Sequence, residues 1–474
     1  MSPGVTRTHG GPEHRPAEAG ARAASRLELA AAVHAGALLL FTAWDFGGET
    51  DFARSAISWW GTLAVPLLAA TCARRLARRE GLPVALRWLW PLLAFDALVL
   101  LGAINPSFAS VQVGGARVLA LGGAHPGWPS SARPDLAWPA LWQFNAIYLT
   151  AFNLVLAVVR RRVLRALLWL TAANALALSV FGTFQKLDQA PGLFFGLEPS
   201  PNAEFFASFI YHNHWGAFVL LATAAALGLV FHNLGRADRS EQRHSPVPLA
   251  LVAILFLAAT VPLSASRSCS VLELVLLLGA FLAWWLRRRG SVRSTTLAVA
   301  ALLAALGAVY WLDRPVIEQR IGNTRTQLAE IRRHGNIGSR ARLYADTWRM
   351  AREKPWFGWG LGSYGTVFQL FNTQVSVEGW QPYFAQAHSD WLQALAEVGV
   401  TGAALLALCA LVPLAALLRL GRPGALPACL LAGCGIVTAY ATVEFPFANP
   451  AVVEAYWIGL FAAIRYQRLT AAER

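Results

Sequence analysis

Two arginines and a histidine, each at the edge of an apolar block, are the residues of this chain best suited to chemistry. Arg267 stands in Ser264-Ala265-Ser266-Arg267-Ser268, a tight turn between two such blocks. A guanidinium held that near a bilayer is costly unless an anion answers it; a snorkelling arginine on lipid head groups is the plain alternative. Its own turn holds no acidic residue, and the nearest, Glu273, lies about two turns into the next helix. Arg340 opens a stretch over 339–353 whose pattern predicts a helix with Ser339 as N-cap. Within it Arg342, Asp346, Arg349 and Glu353 recur at helical spacing and should form a self-paired charged stripe facing solvent. Arg340, Tyr344 and Trp348 share a different stripe, expected to pack downward, which leaves Arg340 without a carboxylate. Arg340 is therefore the better anion ligand, weighed against a capping or surface role, with Arg342 and Tyr344 secondary. His388 begins a later apolar helix; imidazole titrates near neutral pH, which suits a base or positioning group, and an interfacial histidine is the ordinary reading.

The elements that must position these residues are apolar. Hydrophobic residues make up 56% of the 474 and charged residues 14%, against roughly 25% charged in a soluble domain. Blocks long enough to span a bilayer lie near 28–45, 57–73, 84–104, 138–159, 163–182, 213–234, 247–264, 270–286, 295–312, 391–418, 424–443 and 450–466. The expected fold is all-α, a polytopic membrane protein of about 12 transmembrane helices. A long helical extracytoplasmic loop, 313–390, separates spans 9 and 10, and residues 1–26 read as a disordered cytosolic tail. Spans 1–9 fill 27–312, and spans 10–12 with the cytosolic end fill 391–474. Arginine clusters follow the second, fourth, sixth and eighth blocks, which places the N- and C-termini inside and the 313–390 loop outside. That distribution also explains the net charge of +14 without nucleic acid.

Other polar features carry less. Tyr211-His212-Asn213-His214-Trp215 opens the sixth span on the outer side. Two histidines without a third ligand make poor zinc chemistry, so Asn213 and His214 read as a hydrogen-bonding lip for sugar or phosphate. Gly360-Leu-Gly362-Ser-Tyr-Gly365 fits GxGxxG but lacks a βαβ setting, and it reads as a turn-rich linker. The five cysteines show neither metal spacing nor a disulfide framework, and no metal or cofactor is expected. Asp188, Glu204 and Glu444 are outer-face carboxylates without an assignable role.

Together these pieces resemble the O-antigen ligase/polymerase superfamily of membrane glycosyltransferases, most closely over about 255–410. The resemblance is carried by Ser266-Arg267, by Ser339-Arg340 with Tyr344, and by Lys354-Pro-Trp-Phe-Gly358-Trp-Gly360-Leu-Gly362. It ends in His388-Ser-Asp-Trp-Leu-Gln-Ala-Leu-Ala-Glu397-Val-Gly399, where the family's usual Asn after histidine is Ser389. Tyr344 stands where tryptophan is more usual. The resemblance implies a glycan donor on undecaprenyl diphosphate, used at the outer face of the bacterial inner membrane. Arg267 and Arg340 would grip the diphosphate and His388 would accept the acceptor's proton, with inversion and without metal. The acceptor is lipid A–core in a ligase, a growing glycan in a polymerase, or a protein hydroxyl in a protein transferase. A transporter is the rival of another class; against it, the unusual residues cluster outside the bilayer rather than at its midplane.

Overall fold

The computed structural model describes residues 14–234, 246–287, 339–375 and 379–473. Over these the chain is mostly helical. The principal helices are α1 (His14–Trp44), α2 (Asp51–Thr62), α3 (Ala64–Ala77), α4 (Trp90–Ala103), α5 (Pro134–Ala157) and α6 (Arg161–Leu187). They continue with α7 (His212–Leu234), α8 (Val247–Leu263), α9 (Arg267–Arg287) and α10 (Ser339–Glu353). The last three are α11 (Asp390–Leu418), α12 (Ala425–Tyr440) and α13 (Pro450–Ala472).

Eight stretches are long and apolar enough to cross a membrane among the described residues, and the expected count of about 12 is not reached. Two expected spans, Val247–Leu263 and Ala425–Tyr440, are apolar but short. The block at 295–312 lies outside the described residues. The block at 450–466 lies in α13, which is buried among the other helices along most of its length. Helix α1 begins at His14, so 14–26 is helical where a disordered tail was expected, and residues 1–13 lie outside the described residues.

All-α needs one correction. Between α4 and α5 a hairpin pairs β1 (Phe108–Val113) with β2 (Ala116–Leu121), antiparallel, with Phe108 opposite Leu121. Gly114 and Gly115 at its tip both have positive φ, the backbone a two-residue hairpin turn demands.

Helix α7 is the axis of the bundle. It is apolar all round and buried along most of its length, which is the pattern of a helix enclosed by others. Small residues let its neighbours close in: a Cβ on Gly216 would lie 2.5 Å from Cys269 Cβ, and one on Gly433 the same distance from Ala224 Cβ. This contact seats the start of α9, and with it Arg267, beside the start of α7.

The segment after α10 folds back onto α11 and builds a core of its own from Leu343, Met350, Tyr364, Phe368, Ala387 and Ala396. The glycine-rich linker 355–362 is the joint. α11 breaks at Gly399 (φ 65, ψ −174), and there the linker backbone docks: Trp359 N–H donates to Ala396 O at 3.0 Å and Gly360 N–H to Glu397 O at 2.7 Å. In return Val400 N–H donates to Pro355 O at 2.8 Å. The buried Glu397 carboxylate takes the N–H groups of Gly362 and Tyr364 at 2.9 and 3.0 Å. These motif residues fix a joint of two backbones, and that joint sets where α10 lies over the bundle.

Candidate active site

The site is assembled on Glu444, in the connector between α12 and α13. Its carboxylate is buried and receives four side chains from three distant segments. Arg340 Nη2, in the first turn of α10, donates to Oε1 at 2.6 Å. Asn213 Nδ2, in the first turn of α7, donates to the same oxygen at 3.1 Å. Oε2 faces the Tyr211 hydroxyl and His388 Nδ1, each at 3.4 Å. Asn213 also accepts, at Oδ1, the Ser266 hydroxyl at 2.6 Å. Arg267 follows Ser266 directly, exposed in the first turn of α9. One hydrogen-bonded chain thus runs Ser266–Asn213–Glu444–Arg340, with His388 on the same carboxylate, and it brings the segments of both arginines to one end of the bundle.

Local backbone explains the aim of these groups. His388 has φ 52 and Ala265 φ 70, left-handed values that cost a non-glycine residue energy and concentrate at functional positions. Each sits two residues before a helix, Ala265 before α9 and His388 before α11. Tyr344, one turn along from Arg340, donates its hydroxyl to His388 O at 2.8 Å and holds that strained residue. Ser389, the departure from the resembling pattern, caps α11: its hydroxyl accepts Leu392 N–H at 3.3 Å. Asn and Ser are both good caps, so the change keeps the helix start. Asp390 closes the connector by accepting Phe447 N–H at 2.9 Å.

Several sequence expectations are corrected here. Arg340 does have a carboxylate, supplied from 104 residues further on, a distance no helical spacing reveals. The Arg342 stripe is not wholly solvated: Asp346 is buried, bonds Arg349 at 2.6 Å, and takes Thr373 N–H at 2.8 Å. Arg342 itself is exposed, as are Trp348 and the outer part of Arg340. Nor is 211–215 an open lip, because Asn213 and His214 are buried and act as braces. Glu444 is the residue the sequence reading could not assign. Asp188 ends α6, and Glu204 sits in the loop before α7. No cluster of potential metal ligands occurs among the described residues.

The electrostatics follow from this packing. Burial pushes the Glu444 carboxyl up, but the His388 bond and the Arg340 charge outweigh it and hold it below the ordinary glutamate value. Burial likewise opposes the Arg340 charge, and Glu444 more than restores it. Burial, then the Glu444 charge, raises Tyr211, which therefore stays a donor. With a depressed carboxyl, the stabilisation from Glu444 is complete above the ordinary value of 4.5 and is lost only as pH falls through the lower folded value. Thermal unfolding in detergent should show this as an acid-side loss below about pH 4.5 that Glu444→Gln makes smaller. A carboxylate on Nδ1–H leaves His388 Nε2 with the lone pair, the arrangement of an oriented general base. Arg340 keeps 53% of its side chain exposed, so donors beyond the one on Glu444 remain for an external anion.

Residues 251–407 match the model of the O-antigen ligase family, so the resemblance read from the sequence holds over that stretch. The matched residues include Arg267, Arg340 and His388 but stop short of Glu444. No curated protein matches the chain. Over that stretch the chain is similar to the O-antigen ligase family, and among the described residues eight stretches are long and apolar enough to cross a membrane.

Proposed function

We propose that this protein transfers a glycan from an undecaprenyl-diphosphate carrier to lipid A–core at the outer face of the bacterial inner membrane. The observation that carries the reading is the shared carboxylate: Glu444 holds an arginine and a histidine at 2.6 and 3.4 Å, beside the turn that presents a second arginine. Arg267 and Arg340 bind the diphosphate, and forked guanidiniums take up the charge that grows on it as the glycosidic C–O bond breaks. The acceptor hydroxyl attacks from the opposite side of the sugar carbon, so its configuration inverts. His388 Nε2 takes the hydroxyl proton, and Glu444 stabilises the resulting imidazolium. The polyprenyl chain stays in the bilayer, held by about 0.8 kcal/mol per buried CH₂.

The acceptor is tested by the surface glycans of a deletion strain. Loss of polymer from lipid A–core, with lipid-linked polymer accumulating, is the expected result. Single repeat units would instead indicate a polymerase, and altered glycoproteins a protein transferase; either result overturns the ligase assignment. Glu444→Gln keeps an acceptor for Asn213 but removes the charge beneath His388 and Arg340. It is expected to slow transfer by about 10- to 100-fold, measured as undecaprenyl diphosphate released per unit of enzyme.

A further inference from the structure

Beside this site lies a second charged pair that the transfer steps leave unused. Glu49 ends the turn Phe46-Gly47-Gly48-Glu49 between α1 and α2, whose first three residues all have positive φ. The turn is pressed onto the start of α13: a Cβ on Gly47 would lie 2.4 Å from Asn449 Nδ2, and one on Gly48 2.8 Å from Pro450 Cβ. There the Glu49 carboxylate meets His214 Nδ1 at 2.6 Å and accepts Asn449 Nδ2 at 2.8 Å. The other ring nitrogen of His214, Nε2, lies 3.2 Å from the backbone oxygen of Phe445.

Both partners of that ring are oxygens that only accept, provided Glu49 is ionised. Burial pushes the Glu49 carboxyl up, yet His214, Asn449 and Arg54 together hold it below the usual value. Each ring nitrogen must then donate, and a histidine with two donors is a cation. Phe445 is the residue next to Glu444, and its ring underlies the site. Tyr211 stacks on it at 5.2 Å between centroids, and the His388 ring meets it edge-on at 4.7 Å. His214 stands perpendicular to it at 5.1 Å.

We infer that Glu49 and His214 form a positioning pair for the transfer site, the doubly protonated imidazole fixing the Phe445 backbone and so the placement of Glu444, Tyr211 and His388. The role presupposes the transfer function proposed above. The charged and titratable groups around His214 are Glu49 and Arg54 from the α1–α2 segment, Tyr211 from its own, and Glu444 and His388 across Phe445. Of these, Glu49 alone touches the ring with a carboxylate.

The test is Glu49→Gln, which preserves size and hydrogen bonding but removes the charge. An imidazole without that carboxylate titrates between about pH 5 and 8. Purified protein in proteoliposomes would be given undecaprenyl-diphosphate-linked glycan and lipid A–core, and turnover followed as undecaprenyl diphosphate released. The ratio of variant to wild-type turnover cancels titration that both share. That ratio is expected within about threefold of unity at pH 6 and at least about tenfold lower at pH 8. Glu49→Asp, which keeps the charge, should give a pH-independent ratio. A Glu49→Gln ratio that is the same at both pH values means a structural brace only, and it overturns the inference. His214→Gln cannot take the second proton and should be slow by about tenfold at both. Wild-type-like turnover by His214→Gln overturns it too, even if Glu49→Gln fails to accumulate. Arg340→Ala run alongside separates the two ideas: full activity there defeats the transfer reading itself, whatever Glu49 does.

Discussion

Arg340→Ala is expected to lower glycan transfer by about 10²- to 10³-fold, the usual cost of removing one donor to a developing anion. His388→Ala should lose a similar factor, and Arg267→Ala likewise, while each protein still inserts and accumulates. The reasons differ. Losing Arg340 leaves Glu444 buried with one cation fewer, so it removes the proposed diphosphate ligand and also disturbs the carboxylate beside His388. Losing His388 takes away the proposed proton acceptor together with its contact to Glu444. Arg342→Ala is the comparison, because two residues along a helix turn the side chain by roughly 200°, away from the face that Arg340 presents. It should keep most activity. Transfer assays on membranes matched for protein content check all four, and near-normal transfer by Arg340→Ala would defeat the choice between those arginines.

Gly399→Ala should be the most damaging single change to folding. Its φ of 65 with ψ −174 is a conformation nearly reserved for glycine, and an alanine there costs about 1–3 kcal/mol from the backbone alone. The new Cβ would also lie 2.3 Å from the Trp356 carbonyl carbon, against backbone that has no rotamer to escape into. Gly358 is its reciprocal, with a Cβ placed 2.3 Å from the Glu397 carbonyl carbon. Since native proteins are stable by only about 5–15 kcal/mol, the variant should accumulate poorly or unfold well below wild type. Fluorescence-detected size-exclusion after a heating series would measure it. Gly435→Ala meets nothing within 4 Å and should be neutral, which separates a strained joint from general intolerance of added methyl groups.

Much of the assembly was legible because its signals are local. Hydropathy marks the helices, and the start of α11 at Ser389 is a capping pattern. The short α8 and α12 and the buried α13 carry apolar runs as well, and an apolar run looks alike to lipid or to protein. The hairpin at 108–121 has only a short signal, Gly114-Gly115 between two six-residue strands, which the long apolar blocks on either side overshadow. The site was legible in its cations and illegible in its anions. Ser266, Arg340 and His388 sit at element edges where a charge or hydroxyl stands out. Glu444 and Glu49 stand in short connectors, and nothing near them in sequence says what they touch.

Composition and hydropathy by themselves pointed to a helical membrane protein, and motif spacing singled out Arg267, Arg340 and His388 as candidates for one kind of chemistry. Only the tertiary structure decided that a single buried carboxylate ties Arg340, Asn213, Tyr211 and His388 together, and that the glycines of 358–362 and 399 make a joint. The physical reason is range. Helix formation and membrane partition act over neighbouring residues, whereas a carboxylate finds its cations only after packing has desolvated it and closed the distance between them.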